Sequence, residues 1–213
     1  MKKSVYRLAA SLTLLFALLM LTGFAPQDDA ARDMEELSRA LLHEDAAGMK
    51  KFGYDREMLR RKKLEDFTKS FAAIGVTSFT EDLIHPIYEA FCEAAGKCEP
   101  QGQILSKKDG RATVEISFKA IDCRKIDARE VVGDVIKSGD NRFEERKTRE
   151  GFIKRYEKAL RELEPSEMRH FRANCVYDSE KGVWVPENPG EFLMDLFNFA
   201  TGSIIESDPA ESI

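Results

Sequence analysis

The three histidines are the residues best suited to acid–base or metal chemistry, and none stands in a pattern that such chemistry requires. They are His43, His85 and His170, and none has a metal-ligand partner at helical or loop spacing. His43 is followed by Glu44 and Asp45, but adjacent residues on a helix point in different directions. We therefore interpret this triplet as a solvated helix end and predict no metal site.

Asp82 and His85 have the residue types of a base and its orienting group. Nucleophilic catalysis would also need a serine or cysteine in a recognised context, such as a strand-to-helix elbow. No such context accompanies the two residues. We predict no catalytic residue and no cofactor.

The four cysteines, Cys92, Cys98, Cys123 and Cys175, could bind zinc or form disulfides. Five residues separate Cys92 from Cys98, whereas zinc sites commonly place two to four residues between cysteines. Zinc is therefore disfavoured. The choice between disulfides and free thiols then depends on the compartment.

The N-terminus has the composition of an export signal. Lys2, Lys3 and Arg7 precede an apolar stretch from Leu8 to Leu21. Such a segment enters the bilayer with its cationic end on the cytoplasmic side. We predict that residues 1–25 are a signal peptide or an uncleaved membrane anchor. The remaining chain would then be extracytoplasmic, either secreted or tethered to the cytoplasmic membrane.

The end of this segment leaves both outcomes open. Leu21-Thr22-Gly23 resembles the start of a bacterial lipoprotein signal, but Phe24 stands where that signal has its lipid-bearing cysteine. Cleavage after Ala25 would make Pro26 the first residue of the product, which leader peptidases accept poorly. Secretion and retention as an anchor therefore remain alternatives.

An even number of cysteines in an oxidising compartment favours disulfides, and four cysteines allow three pairings. We predict Cys92–Cys98 and Cys123–Cys175. The first bridge supposes that Gly96 is a left-handed residue that folds the chain back over the end of a helix. The second supposes a bulge or strand end near Asp122.

Charge and length indicate a globular, acidic protein. The chain has 213 residues and a net charge of −5, and residues 1–25 carry three positive charges and no acid. The remainder is thus more acidic than the whole chain and a poor candidate for nucleic acid. A basic cluster lies within it, at Arg56, Arg60, Arg61, Lys62 and Lys63. We interpret the cluster as a solvated helix face, with docking on cell-wall polymer or anionic headgroups as the alternative.

Apolar residues at helical spacing predict helices in the first half of the chain, around residues 30–43, 45–53 and 64–75 and after Ser78. Asp45 would cap the second helix, Gly53 would end it, and Pro86 would kink the last helix or begin a separate one. Later helices are predicted at Val131 to Ile136, at about 142–163 and after Asn188-Pro189.

Alternating apolar residues predict two hairpins in the second half. Residues 112–120 form a strand that is joined to residues 103–106 through Asp109-Gly110, a strong turn signal. Residues 171–177 and 183–185 form the other hairpin. We predict an α+β fold in which a helical N-terminal half packs on a curved antiparallel sheet of about four strands, with inserted helices. Residues 26–202 would form a single domain, followed by a flexible tail at 203–213.

The order of these elements resembles the cystatin-like curved sheet of nuclear-transport-factor-two-like domains, and residues 37–49 resemble the helical opening of such domains. Residues 30–200 are similar, more closely, to small surface lipoproteins of Gram-positive bacteria in a family of unknown function. Those proteins share the Lys108-Asp109-Gly110 hairpin and the terminal Gly182-Val183-Trp184 strand. The resemblance implies no catalytic residues.

Two functions follow from these observations. The first is an extracytoplasmic, non-enzymatic surface or binding module that contacts the membrane through its N-terminal segment and binds a protein or cell-wall partner. The alternative is a pocket protein for a lipophilic small molecule, or a hydrolase, that uses the concave face of the sheet. Trp184, Phe118 and Phe171 would then line the pocket.

Overall fold

The computed structural model describes residues 30–73, 80–127, 131 and 146–202. The helices of this part of the chain are α1 (Ala30–Leu42), α2 (Ala46–Lys51), α3 (Arg56–Ala73), α4 (Glu81–Ala95), α5 (Arg146–Glu162) and α6 (Pro189–Thr201). The strands are β1 (Gln101–Lys108), β2 (Arg111–Ala120), β3 (Glu167–Asp178) and β4 (Val183–Pro186), and a 3-10 turn spans Cys123–Lys125.

Helix α1 forms because its apolar residues recur with the helical period and face the sheet. Met34, Leu37 and Leu41 are fully buried, and the helix packs against β1, β2 and β4. Ala30, the first residue of the helix, is also fully buried. This helix was predicted from the sequence and is confirmed.

The short helix α2 has the predicted cap, Asp45, and ends at Lys51, two residues before the predicted Gly53. The Asp45 carboxylate caps it by accepting hydrogen bonds from the N–H groups of Ala47 and Gly48, at 3.1 and 3.2 Å. Gly53 follows the helix with a φ of +86°, a conformation that glycine adopts without steric cost.

Helix α4 continues through Pro86 and ends before Gly96. Ile84, Ile87 and Tyr88 are buried on both sides of the proline. The helix begins after Thr80, whereas Ser78, which we expected to open this helix, lies outside the described residues. The prediction of a left-handed Gly96 is wrong, because its φ of −64° is that of a right-handed helical residue.

The sheet is an antiparallel meander with the strand order β1-β2-β3-β4. Its apolar side chains alternate as predicted: Val114, Ile116 and Phe118 of β2 are buried. The Asp109-Gly110 turn joins β1 to β2, with φ values of +50° and +75°. The second predicted hairpin is confirmed as β3 and β4, although β3 begins four residues earlier than the alternation indicated, at Glu167.

Two hydrophobic clusters form the core. One lies between the sheet and helices α1 and α6, and the other lies among α3, α4 and α5. Cys123 and Leu163 pack against both clusters. Helices and an open antiparallel sheet of four strands thus confirm the predicted α+β class.

Several sequence predictions concern residues outside the described ranges. These are the N-terminal segment 1–25, the tail 203–213 and most of the helix expected at Val131 to Ile136, of which only Val131 is described. Among the helices that the structure describes, none is both long and apolar enough to cross a membrane.

Candidate functional site

All four cysteines are free thiols in the structure. The predicted Cys123–Cys175 bridge is wrong, because the register of β2 and β3 keeps the two residues apart. Cys175 lies opposite Ala112 near one end of the pair, whereas Cys123 follows Ala120, which lies opposite Glu167 at the other end. Eight residues of strand correspond to about 26 Å, far beyond the reach of a disulfide.

The predicted Cys92–Cys98 bridge is not formed either, because the two thiols point to different partners. The Cys92 thiol donates a hydrogen bond to the Glu44 carboxylate at 3.7 Å. The Cys98 thiol is fully buried and donates to the Ala200 carbonyl at 3.6 Å. Gly96 does not supply the left-handed turn that would have folded the chain back.

The thiols are poor nucleophiles in these surroundings. Burial and the neighbouring Glu44 carboxylate raise the pKa of the Cys92 thiol to about 11. Burial raises the pKa of the Cys123 thiol to about 11 and that of the Cys175 thiol to about 12. Because the thiolate is the reactive form, these cysteines stay protonated and unreactive near neutral pH.

Glu44 lies at the centre of a partly buried polar network. Its side chain is 12% exposed, and its backbone has a φ of +51°, an uncommon conformation for a residue other than glycine. The carboxylate accepts hydrogen bonds from Tyr88 Oη at 2.9 Å and from Arg60 Nη1 at 3.1 Å. Arg56 Nη2 lies 3.8 Å away, and Arg60 also pairs with Glu89. The contacts neutralise the carboxylate and join α3 to α4.

The basic cluster of the sequence is divided by this network. Arg61 and Lys62 are exposed, as expected for a solvated helix face. Lys63, in contrast, places its ammonium 3.8 Å from the centre of the Phe197 ring, and burial lowers its pKa. Arg56 and Arg60 neutralise Glu44. The cluster therefore is not one continuous basic surface.

The histidines remain apart from one another. His43 Nε2 lies 3.6 Å from a Glu99 oxygen, and His85 Nε2 lies 3.4 Å from a Glu89 oxygen, while His170 is exposed on β3. Within the described ranges, no group of three or more histidine, cysteine, aspartate or glutamate side chains is placed to hold a metal ion.

The three residues expected to line a pocket lie in the core. Phe118 and Trp184 are each 1% exposed, and Phe171 is 5% exposed. Phe171 stacks on Phe199 of α6 with ring centres 5.6 Å apart, and its ring centre lies 5.7 Å from that of Phe192. Helices α1 and α6 thus cover the face of the sheet on which a lipophilic ligand was expected.

A cleft of about 240 Å³ lies between β3, the end of β4 and the first turns of α6. We call it the edge cleft. The sheet side is formed by Phe171, Arg172, Ala173 and Asn174, and the opposite side carries the carboxylates of Glu187, Glu191 and Asp195. Three of the lining residues are thus acidic and one, Arg172, is basic.

The electrostatics of the edge cleft follow from how its elements are held. The Asn188 side chain caps α6 by accepting from the Glu191 N–H at 3.3 Å, and this cap orients the first turn. Glu191 and Asp195 are four residues apart, so they lie on one side of the helix. Burial and the neighbouring Glu191 carboxylate raise the pKa of Asp195. A cation in the cleft would relieve this crowding of negative charge.

A second cleft, of about 420 Å³, continues from the first around the β1–β2 turn. Asn174 and Glu187 belong to both clefts. Arg111 Nη1 lies 3.2 Å from the Glu187 carboxylate, and the Thr113 hydroxyl donates to Asn174 Oδ1 at 3.1 Å. Together the clefts form a polar groove along the end of the sheet.

Sequence reasoning did not find the edge cleft, although one signal for it was present. Glu191 and Asp195 are four residues apart at the start of an otherwise apolar helix, which places both on one helix face, and Glu187 directly precedes the helix cap. The partner surface, the side of β3, depends on how far β4 extends. The sequence predicted a short last strand at residues 183–185, close to the observed β4, but it did not indicate where α6 would lie against β3.

Comparison with known proteins finds a protein of similar fold but no family to which the chain can be assigned. No family model and no curated protein sequence matches the chain. The structure is similar to that of ycdA of Bacillus subtilis, which is described as a candidate lipoprotein, with a TM-score of 0.65 and 16% sequence identity. The similarity covers 83% of this chain and 57% of ycdA, so the chain corresponds to little more than half of that protein.

Proposed function

We propose that this chain is an extracytoplasmic, non-enzymatic binding protein of the cell surface, exported or anchored by its N-terminal segment. The observation that carries the binding role is the edge cleft, an accessible polar site with three carboxylates and no nucleophile among its lining residues. Specific binding of a charged partner needs such a site, whereas nucleophilic catalysis would also need an activated nucleophile.

The location is supported by two independent features. The sequence places Lys2, Lys3 and Arg7 before an apolar segment, which is the arrangement of an export signal. The structurally similar ycdA is described as a candidate lipoprotein. We further propose that the fold is of the nuclear-transport-factor-two-like kind, a finer assignment that rests on the order of the helices and hairpins in the sequence.

The structure favours this binding role over the alternative of a pocket for a lipophilic molecule. A lipophilic ligand on the concave face would have to displace Phe118 and Trp184 from the core. Removing large aromatic side chains from a packed core costs several kcal/mol. The edge cleft, in contrast, needs no rearrangement to receive a polar partner.

Protease accessibility tests the location. In intact protoplasts that make the full chain, added protease should degrade the part that follows residue 25, while a cytoplasmic marker protein stays intact. Protection of the chain in intact protoplasts, with cleavage after lysis, would show that the export proposal is wrong.

Labelled palmitate tests the mode of attachment. The natural chain should incorporate none, because Phe24 offers no thiol for a thioether. The Phe24→Cys variant should become labelled. Label in the natural chain would contradict our interpretation of the segment.

A further inference from the structure

Strand β3 is paired along nearly its whole length on one side but only at its end on the other. β2 pairs with it from Glu167 to Val176, whereas β4 pairs only with Cys175 to Asp178. Beyond that point no described strand lies beside β3. We call the stretch Glu167–Asn174, on the side away from β2, the open edge.

The backbone of the open edge presents hydrogen-bonding groups outward. The Asn174 carbonyl points to that side, since it accepts from the Glu187 N–H at 2.8 Å. Backbone groups alternate between the two sides of a strand. The N–H and C=O groups therefore also point outward at three further residues: Met168, His170 and Arg172. A row of this kind is a template for an added strand.

The opposite edge of the sheet does not offer the same surface. On β1, the Gly102 N–H donates to the Glu35 carboxylate at 3.3 Å. Ala31 of α1 lies so close to Gly102 that an added Cβ would stand 2.3 Å from the Ala31 carbonyl oxygen. Helix α1 therefore covers β1 at this point, and the two edges are not equivalent.

Charge determines what can be added to the open edge. A strand placed there would turn alternate side chains toward α6, beside Glu191 and Asp195, which line the edge cleft together with Glu187. Its other side chains would lie next to His170 and Arg172, which are exposed. Lysine or arginine suits the first set of positions, and neutral or acidic residues suit the second.

We propose that the open edge and the edge cleft together bind an extended segment of a partner protein, one in which basic residues alternate with neutral or acidic ones. The segment pairs with β3 as an additional strand and directs its cations into the edge cleft. This inference rests on the proposed binding function, for which it names the class of partner.

Two other occupants carry the wrong charge. Residues 203–213 contain Glu206, Asp208 and Glu211 and no lysine or arginine, so the carboxylates of the cleft repel that tail. A second copy of the chain, paired through its own β3, would bring two edge clefts together. The two sets of carboxylates would then face each other, and each chain already carries a net charge of −5.

The first experiment measures binding of two synthetic peptides to the full-length protein in detergent. One labelled peptide of about nine residues, the length of a long strand, alternates lysine with threonine, and the control peptide has the same composition in two blocks. Fluorescence anisotropy should show about tenfold tighter binding of the alternating peptide. Hydrogen exchange should show new protection at Met168, His170 and Arg172.

Variants then separate backbone pairing from charge. Arg172→Pro removes an outward N–H beside which no described strand lies and should weaken binding about tenfold, while Arg172→Thr, which keeps that N–H, should stay within about threefold. The double variant Glu191→Gln with Asp195→Asn should weaken binding about tenfold without a change in fold. Its matched control, Glu57→Gln with Glu65→Gln, removes the same charge from exposed positions on α3 and should bind normally.

Several results would overturn the inference. Equal binding of both peptides would show non-specific charge attraction, and failure of the alternating peptide to bind would exclude this partner class. Protection of the same three amides in the peptide-free monomer would assign the edge to this chain itself, and their protection in a dimer would assign it to a second copy. None of these results affects the protoplast experiment, so failure of the inference is distinguishable from failure of the proposed location.

Discussion

Asp33 shows how a single buried charge holds distant parts of this chain together. It is 2% exposed and lies on α1. Its Oδ2 accepts from the backbone N–H of Trp184 at 2.9 Å, and its Oδ1 lies 3.5 Å from Lys51 Nζ. The contacts connect α1 to β4 and to α2. Trp184 was expected from the sequence to line a pocket, but its backbone amide is instead part of this connection.

At the residue scale, the Cys175 thiol predicts how stability depends on pH. Burial raises its pKa from 9.0 to about 12. Because the unfolded chain loses this proton more readily, the stabilisation is complete below about pH 9 and is lost as pH rises toward 12. The free energy of unfolding of the reduced protein, measured in urea, should therefore fall between pH 9 and pH 11.

The control for this prediction is Cys175→Ala. The variant is less stable at pH 7, because it leaves a cavity in the core, but its free energy of unfolding should fall less steeply above pH 9. A profile as steep as that of the natural chain would show that Cys175 does not contribute to the pH dependence.

At the element scale, Lys97 joins two helices through their ends. It follows α4, and its ammonium donates to the carbonyls of Arg161 and Leu163, both at 2.8 Å. It also donates to Glu164 Oε1 at 2.7 Å. Carbonyls at a helix C-terminus lack partners within the helix, and a cation there satisfies them and interacts favourably with the helix dipole.

Removing this ammonium should destabilise the protein. We expect Lys97→Met to lower the free energy of unfolding by about 1 kcal/mol. The matched control is Lys158→Met, which removes an ammonium from a side chain that is 74% exposed and should change the free energy by less than about 0.5 kcal/mol. Equal effects of the two substitutions in urea denaturation would contradict the role of Lys97.

The elements that the sequence predicted well are those with local causes. Asp45 caps α2, Asn188 precedes α6, and Asp109-Gly110 turns β1 into β2, each through contacts between residues close in the chain. The disulfide predictions were wrong because they assumed a strand register and a left-handed Gly96 that the structure does not have. The sequence did predict a short β4, but the edge cleft also depends on how α6 packs against β3, which no local residue pattern specifies.

At the scale of the whole molecule, the two hydrophobic clusters are joined by residues that contact both. Cys123 leads out of the sheet and Leu163 follows α5, and each packs against both clusters. Helix α4 extends the connection, since Ile84 belongs to one cluster and Ala94 to the other. We therefore expect residues 26–202 to unfold as one cooperative unit.

Two spectroscopic probes that weight the two clusters differently test this expectation. Trp184 is the only tryptophan of the sequence and lies in the sheet cluster, whereas far-UV circular dichroism mainly reports the helices. The two urea transitions should have the same midpoint, as in a two-state protein. Separate midpoints would show that the helices α3, α4 and α5 form a unit of their own.

The complete burial of Ala30 limits how far the folded part can move from its point of attachment. Because α1 is packed from its first residue, the distance from Ala25 to the folded part is bounded by the length of chain between Ala25 and Ala30. Five Cα–Cα steps reach about 18 Å when fully extended. If the N-terminal segment stays in the membrane, the short connection keeps the start of α1 within that distance of the lipid headgroups. A partner protein can then bind only close to the bilayer surface.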